Sequence, residues 1–182
     1  MSTVTNGTDL NPTAASLLGF LEYGPMTGWD LDAWVRISIG NFWNVTRSQI
    51  YRELRDLTER GYAEAGPAGP RDRTPYTITP AGKEAFREWL GGDPGPDIIR
   101  SRLLLTVFFG DRLEPERLRQ VLADHRRQHQ AQLDGYRTIQ QGLSGQRFVE
   151  ATLRYGIAHE EHVVEWLQEL EEELDQLGPG GA

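Results

Sequence analysis

Arginine and short polar side chains cluster between residues 46 and 60, and this mixture has the chemistry of a nucleic-acid reader. An arginine can donate two hydrogen bonds to the acceptors of a guanine edge, and hydroxyl and amide groups reach base edges or phosphates. Two more arginines follow in a segment rich in glycine and proline, where a loop could approach a phosphate backbone. The residues that could contact DNA are Arg47, Ser48, Gln49, Tyr51, Arg52, Arg55, Arg71 and Arg73.

The segment 46–60 predicts a helix that would carry the first six of these side chains. Thr46 and Gln49 have the spacing of a capping box, and Gly61 favours a helix end. Apolar residues recur at i, i+4 and i+7, which predicts one buried stripe. The stripe consists of Ile50, Leu54 and Leu57.

The opposite face of this helix would be the reading face. At roughly 100° per residue, Ser48, Arg52 and Arg55 lie nearly opposite the apolar stripe. An alternative remains for the same pattern, because a solvated helix face with pairs such as Arg55 and Glu59 would look alike.

A hairpin is predicted directly after the helix. Two short strand candidates, 62–65 and 76–79, flank a loop of turn-forming residues with Arg71 and Arg73 near its tip. Phosphate contact would explain these two arginines, and solubility is the alternative explanation. Thr79 followed by Pro80 then predicts the start of another helix.

A helix, a basic-tipped hairpin and a second helix form the layout of a winged helix-turn-helix. The chain resembles the PadR family of bacterial transcriptional regulators over about residues 14–175. Its segments 17–21 and 24–31 match the family's opening, and 41–43 resembles a longer subgroup whose C-terminal domain resembles that of a virulence-gene activator. Arg47 and Ser48 depart from the family, where proline, histidine or glycine are common. The residues that carry the resemblance most specifically are Ile50, Tyr51, Leu54, Leu57 and Gly61, then Tyr76, Ile78, Thr79 and Gly82.

The resemblance implies a ligand-responsive repressor that binds double-stranded DNA as a homodimer on a palindromic promoter site. It also implies a small, often aromatic effector near the junction of two domains. Trp43, Trp89 and Trp166 are the candidates for ligand binding, although core packing is the favoured interpretation of the aromatic residues. A winged-helix module for protein–protein contact, without DNA binding, is the alternative function.

The chain is predicted to be mainly α with a small β wing, in two domains. The segment 91–96, Gly-Gly-Asp-Pro-Gly-Pro, combines helix-ending and φ-fixing residues and marks the boundary. We expect a flexible tail over 1–12, a winged helix-turn-helix DNA-binding domain over 13–92, a helical dimerisation and effector domain over 97–177, and a flexible tail over 178–182.

Three helices are predicted in the second domain. The first, 97–109, is apolar on most sides and is expected to be buried. The others, 113–142 and 146–177, carry apolar seams that two helices cannot cover alone, so a homodimer is expected. The alternative is that these helices fold back on the first domain. The seam residues expected in the dimer interface are Val164, Leu167, Leu170 and Leu174.

Charge, hydropathy and cysteine content indicate which kinds of protein this chain resembles. The net charge is −8, yet residues 1–92 hold nine basic against eleven acidic residues, so most of the negative charge lies beyond them. No run of apolar residues is long enough for a membrane span, and the N-terminus lacks the apolar region of a signal peptide. The chain has no cysteine, which fits a cytoplasmic protein.

The sequence shows no motif of an enzyme, and we expect no catalytic residue, no cofactor and no metal. The histidines are the one set of possible metal ligands. They occur as the pairs His125/His129 and His159/His162, at helical spacings. Packing or solvation is the favoured interpretation, because no cysteine or fixed-spacing motif supports a metal site.

Overall fold

The computed structural model describes residues 10–40, 42–69, 73–96 and 99–176. The chain divides into two compact units, with the division after Pro96. Among their described residues, the first unit contains four helices and a small sheet, and the second contains three helices.

Each helix of the first unit begins at a polar side chain that accepts a hydrogen bond from the first turn. These caps satisfy backbone amides that have no partner within the helix. The four capping residues are Asn11, Thr27, Thr46 and Thr79. The helices that they begin are α1 (Pro12–Leu21), α2 (Gly28–Ser38), α3 (Arg47–Glu59) and α4 (Pro80–Leu90).

The sheet of the first unit has three short antiparallel strands in the order β1–β3–β2. They are β1 (Met26–Thr27), β2 (Ala63–Ala65) and β3 (Pro75–Ile78). The hairpin β2–β3 pairs Ala63 with Ile78 and Ala65 with Tyr76. The two-residue β1, which the sequence analysis did not predict, joins the other edge of β3 and ties the start of α2 to the wing.

Apolar side chains from α1, α2, α3 and the sheet form one closed core in the first unit. The stripe predicted on α3 lies in this core, since Ile50, Leu54 and Leu57 have no exposed surface. The other large side chains without appreciable exposure are Leu17, Leu18, Leu21, Leu31 and Val35.

The second unit is built on two long antiparallel helices. They are α6 (Pro115–Gly142) and α7 (Arg147–Gln176), preceded by the short helix α5 (Arg102–Phe108) and a single 3-10 turn, Gly110–Arg112. Ion pairs connect the helices along their length and fix their antiparallel direction. The pairs are Arg119 with Asp175, Arg126 with Glu171, and Arg137 with Glu161.

The predicted burial of helix 97–109 is wrong for most of its described side chains. The helix begins only at Arg102, after Ser101 caps the amide of Leu104. Its seven residues bury Leu103 in the core of the unit and pack Val107 partly against that core. A helix this short can turn only one face to that core, so the apolar residues on its other faces point outward. Exposed on or beside it are Ile99, Leu104, Leu105, Phe108 and Phe109.

The apolar seam of α7 packs largely within its own chain. Leu167 is completely buried against Leu103 and Leu122, and Leu170 and Leu174 pack on the same cluster. Val164 is half-buried. The role of these α7 residues in a dimer interface stays a prediction, and Leu167 has no surface left to offer a partner in this arrangement.

The predicted fold class is confirmed: the chain is mostly helical with a small antiparallel sheet, in a winged-helix arrangement followed by a helical region. Among the described residues, no helix combines the length and the apolar character needed to cross a membrane.

Candidate nucleic-acid interface

The first turn of α3 is locked by the predicted capping box. The backbone amide of Gln49 donates to Thr46 Oγ1 at 3.3 Å, and the amide of Thr46 donates to Gln49 Oε1 at 2.8 Å. At the other end, Gly61 adopts a positive φ of 74°, and Tyr62 donates its amide to the carbonyl of Leu57. Both ends of α3 are therefore fixed by local hydrogen bonds, which gives its outward face a defined position.

The outward face of α3 lies opposite the core, as predicted. Ser48, Arg52 and Arg55 are all exposed on the helix whose other side carries the fully buried stripe. Within the described residues, the Arg55 side chain makes no hydrogen bond, ion pair or ring contact. Its guanidinium group can therefore bind an outside acceptor without first breaking an internal one.

Arg52 has an internal counterion. Its Nη2 lies 2.9 Å from Oε1 of Glu53, a carboxylate that is 5% exposed and also accepts from Asn11 Nδ2 at 2.8 Å. A buried carboxylate needs such partners because desolvation penalises its charge. The Arg52 side chain is still 67% exposed, so most of its guanidinium faces solvent.

Arg47 is held more tightly than a solvent-facing arginine. It donates from Nε and Nη2 to Asp32 Oδ2, at 3.3 and 2.8 Å. Asp32 is 4% exposed and also pairs with Arg36 from its own helix. The Cζ of Arg47 in addition lies 4.3 Å from the ring centroid of Trp29. These contacts connect the start of α3 to α2.

The wing reaches the same region through Arg73. Its Cζ lies 5.6 Å from the centroid of the Trp29 ring. Hydrogen bonds from Thr27 lower the pKa of Asp30 below its usual value, and the positive charge of Arg73 adds to this effect. Arg71, the other predicted wing contact, lies outside the described residues.

The base of the wing is held by a close approach of two backbones. Thr79 donates its amide and hydroxyl to the carbonyls of Tyr62 and Gly61, at 3.0 and 2.7 Å. A Cβ at Gly82 would lie 2.1 Å from the Tyr62 carbonyl oxygen, so only glycine fits there. This contact gives a physical reason for the glycine that closes the motif after the wing.

The predicted DNA contacts therefore fall into groups with different internal partners. Ser48, Arg52 and Arg55 form an exposed row on α3. Gln49 uses its side-chain oxygen in the capping box, and the ring of Tyr51 packs over Gly28 of α2. The arginines with partners on α2 are Arg47 and Arg73.

The three tryptophans proposed for ligand binding lie in different surroundings. Trp43 follows α2, is 36% exposed, and donates its indole N–H to Thr13 Oγ1 at 3.3 Å. Trp89 is partly buried on the core of the first unit. Trp166 is partly buried on the core of the second unit. Each ring has a packing role in its own unit, and their part in ligand binding stays a proposal.

The histidine pairs show different environments. Nδ1 of His129 lies 2.6 Å from Oε2 of Glu160, a carboxylate that is buried between α6 and α7. His125 stacks beside His129, whereas His159 and His162 are exposed. The charge of the same Glu160 also acts on Tyr136. Burial of the Tyr136 phenol raises its pKa most, and the nearby charge of Glu160 raises it further. Within the described ranges, no three potential ligands of the His, Cys, Asp or Glu type are placed to hold a metal.

Sequence reasoning missed the partners that hold the arginines. Trp29, Asp32 and Glu53 contact candidate DNA-binding residues, but none was predicted to do so. The sequence contains one hint for Asp32: it lies beside the apolar residues of the amphipathic helix α2, and a carboxylate buried there needs a partner. The spacing of Asp32 and Arg47 along the chain does not predict their contact.

Comparison with known families matches both units. Residues 17–88 match the transcriptional regulator PadR-like family, and residues 99–175 match the virulence activator alpha C-terminal family. A similar protein of Bacillus subtilis, the negative transcriptional regulator PadR, is 29% identical over 122 residues, which cover 65% of this chain and 67% of that protein. The PadR-like family consists of transcriptional regulators, which are not enzymes.

Solved structures share the fold over most of the chain. PadR of Bacillus subtilis in complex with operator DNA has a TM-score of 0.77 at 24% identity, covering 90% of this chain and 99% of that one. The Vibrio cholerae virulence activator AphA has a TM-score of 0.73 at 24% identity, covering 91% and 99%. PadR in complex with p-coumaric acid has a TM-score of 0.71 at 25% identity, covering 89% and 98%.

Proposed function

Since the chain joins a PadR-like transcriptional regulator domain to a virulence activator alpha C-terminal domain, we propose that it is a sequence-specific DNA-binding regulator. The observation that carries this proposal is the exposed row Ser48, Arg52 and Arg55 on α3, opposite a core that fixes the helix. A rigid helix with two outward guanidinium groups and a hydroxyl suits the acceptors of a major groove.

The other predicted contacts take supporting positions in this proposal. Arg71 and Arg73 of the wing contact phosphates beside the site, since a loop rich in glycine and proline can follow a backbone. Gln49 and Tyr51 remain candidates for DNA contact at the edges of the α3 face. Arg47 can reach DNA only in competition with Asp32.

We further propose that the regulator acts as a homodimer on a palindromic site. The second unit supports this, because large apolar side chains of its short helix are solvent-exposed in the single chain: Phe108 is 79% exposed and Leu105 is 61% exposed. Covering such a surface with a second copy removes apolar area from water. A two-fold dimer presents two copies of α3 to two inverted half-sites.

Repression and its release by a small aromatic effector form the last part of the proposal. Support comes from the Bacillus subtilis relative, which is named a negative regulator and has a structure with p-coumaric acid. Trp43, Trp89 and Trp166 stay the candidate ligand-binding residues. Replacing each by leucine and titrating the ligand against operator binding would identify those that contact it.

Selection of bound sequences from a random DNA pool tests the proposed function. We expect an inverted repeat to emerge, and we expect Ser48→Ala with Arg55→Ala to lose that selectivity while the circular dichroism spectrum stays unchanged. Arg87→Ala is the matched control, because Arg87 is an exposed arginine on α4 that pairs with Glu84. A wild-type protein that enriches no sequence would instead favour a protein–protein module.

A further inference from the structure

Two arginines from different elements lie over the indole ring of Trp29. The Cζ of Arg47, from α3, is 4.3 Å from the ring centroid, and the Cζ of Arg73, from the wing, is 5.6 Å from it. Trp29 itself is the second residue of α2. One side chain thus contacts both parts of the candidate DNA-binding surface.

Core packing does not account for this tryptophan. Trp29 is 46% exposed and lies outside the apolar cluster of its unit. A large aromatic side chain contributes most to stability when it is buried. The ring is instead placed where a cation can lie over its face, which is an attractive arrangement for a guanidinium group.

The two arginines over the ring belong to a network of ion pairs with an excess of positive charge. Asp32 neutralises part of the pair Arg36 and Arg47, and Asp30 feels the charge of Arg73. Within the part of the chain that the structure describes, this network therefore sets three guanidinium groups against two carboxylates. Like charges gathered in this way repel each other, and a bound phosphate relieves that repulsion.

We propose that Trp29 is a positioning residue for DNA binding, whose ring holds Arg47 and Arg73 together so that α3 and the wing meet the phosphate backbone as one body. The inference rests on the proposed DNA-binding function. Asp32 fixes Arg47 from one side, the ring orients its guanidinium, and the same ring restrains the wing arginine. Side chains restrained before binding lose less freedom when the complex forms.

The main experiment compares two tryptophans of the same helix. Trp34 is 47% exposed on α2, and its ring lies near the ring of Phe20 and not near an arginine among the described residues. We expect Trp29→Ala to weaken binding to the selected DNA by about five- to thirtyfold, the range of two lost cation–ring contacts at an exposed site. Trp34→Ala should change binding by less than about twofold, which is the usual size of a surface substitution. Trp29→Phe should retain part of the affinity, because phenylalanine keeps a weaker ring surface.

A double-mutant cycle then separates positioning from a general structural role. If the ring acts through the arginines, Trp29→Ala should add little in a background of Arg47→Gln and Arg73→Gln. Equal losses for Trp29→Ala and Trp34→Ala, or full additivity in the cycle, would overturn the inference.

A measurement without DNA keeps this inference separate from the proposed function. In NMR spectra of the full chain, the δ-methylene protons of Arg47 and Arg73 should show upfield shifts from the indole ring, absent in Trp29→Ala and present in Trp34→Ala. If these shifts occur but wild type binds no DNA, the proposed function fails and the ring contact stands. Missing shifts in wild type, or affinities that do not differ between the alanine variants when wild type binds, refute the role of Trp29.

Discussion

The two units of this chain bury their apolar residues to different extents. The first unit encloses large side chains from three helices and its sheet, and its leucine core has almost no exposed surface. In the second unit, Leu103, Leu122 and Leu167 form the buried centre, while Phe108 and Phe109 are exposed beside it. The first unit therefore has the larger closed core, whereas the second exposes large apolar side chains directly beside its small buried centre, on a surface that suits a partner.

The buried carboxylates of the two units also differ in their partners. In the first unit, Asp32 and Glu53 each accept from two side chains, and each pairs with an arginine of the candidate DNA face. In the second unit, Glu160 pairs with His129 between α6 and α7. The buried carboxylates of the first unit pair with arginines that are candidates for DNA contact, and that of the second connects the two long helices.

The largest expected effect is on the closed core of the first unit. Leu54→Ala removes a fully buried side chain from α3 and should cost about 2–5 kcal/mol in the free energy of unfolding. Urea denaturation followed by tryptophan fluorescence measures this loss. Because the core closes within one chain, the difference in unfolding free energy between Leu54→Ala and wild type should be the same at every protein concentration, and a difference that changes with concentration would contradict the self-contained core.

The exposed apolar surface of the second unit gives the next largest effect. Leu105→Ser with Phe108→Ser should weaken dimerisation by at least about 100-fold, since each large side chain contributes about 1.5–3 kcal/mol when it is buried. Sedimentation velocity over a range of concentrations measures the shift from dimer to monomer.

A matched control makes this second comparison sharper. Ile37 in the first unit is 61% exposed, the same fraction as Leu105. We expect Ile37→Ser to leave the dimer intact if dimerisation resides in the second unit. Dissociation by Ile37→Ser, with no effect of the α5 substitutions, would assign the partner surface to the other unit.

Within the candidate DNA face, replacing Arg55 and replacing Arg47 should affect DNA affinity and fold stability differently. Arg55→Ala should cost about 1–3 kcal/mol of binding per half-site, because its guanidinium makes no internal hydrogen bond or ion pair among the described residues. Arg47→Ala should in addition lower the stability of the fold, because it leaves buried Asp32 with Arg36 as its remaining arginine partner. Fluorescence anisotropy with operator DNA and thermal melts of both variants test this difference. Equal melting temperatures would contradict the structural role of Arg47.

The smallest expected effect concerns how the stability of the first unit decreases at acidic pH. The hydrogen bonds from Thr27 hold the pKa of Asp30 below its usual value of 3.8. The ionised carboxylate therefore stabilises the fold at neutral pH, and this contribution is lost as the pH falls through the lowered folded-state pKa. Asp30→Asn should lower stability slightly at pH 7 and should flatten its decline below about pH 4. Urea midpoints measured from pH 2.5 to 7 would show the two curves converging in acid, and parallel curves would refute the assignment.

Local pattern was sufficient for much of the first unit. The threonine and glutamine at the start of α3, its apolar stripe and Gly61 act through hydrogen bonds and packing only a few residues apart. The exposed face of Ser48, Arg52 and Arg55 followed from the same helical repeat. Such features are set by short-range geometry, so they can be read along the chain.

What the sequence determined by itself was the order of helix, hairpin and helix from α3 to α4, the winged-helix class and the outward face of α3. The tertiary structure alone decided which partners those residues meet: Asp32 and Trp29 on Arg47, Glu53 on Arg52, and Leu103 and Leu122 on Leu167. It also decided that most of α5 faces outward, although its composition predicted burial. The physical reason is that a helical repeat fixes which side chains share a face, whereas their partners depend on how distant segments pack, and no local spacing records that packing.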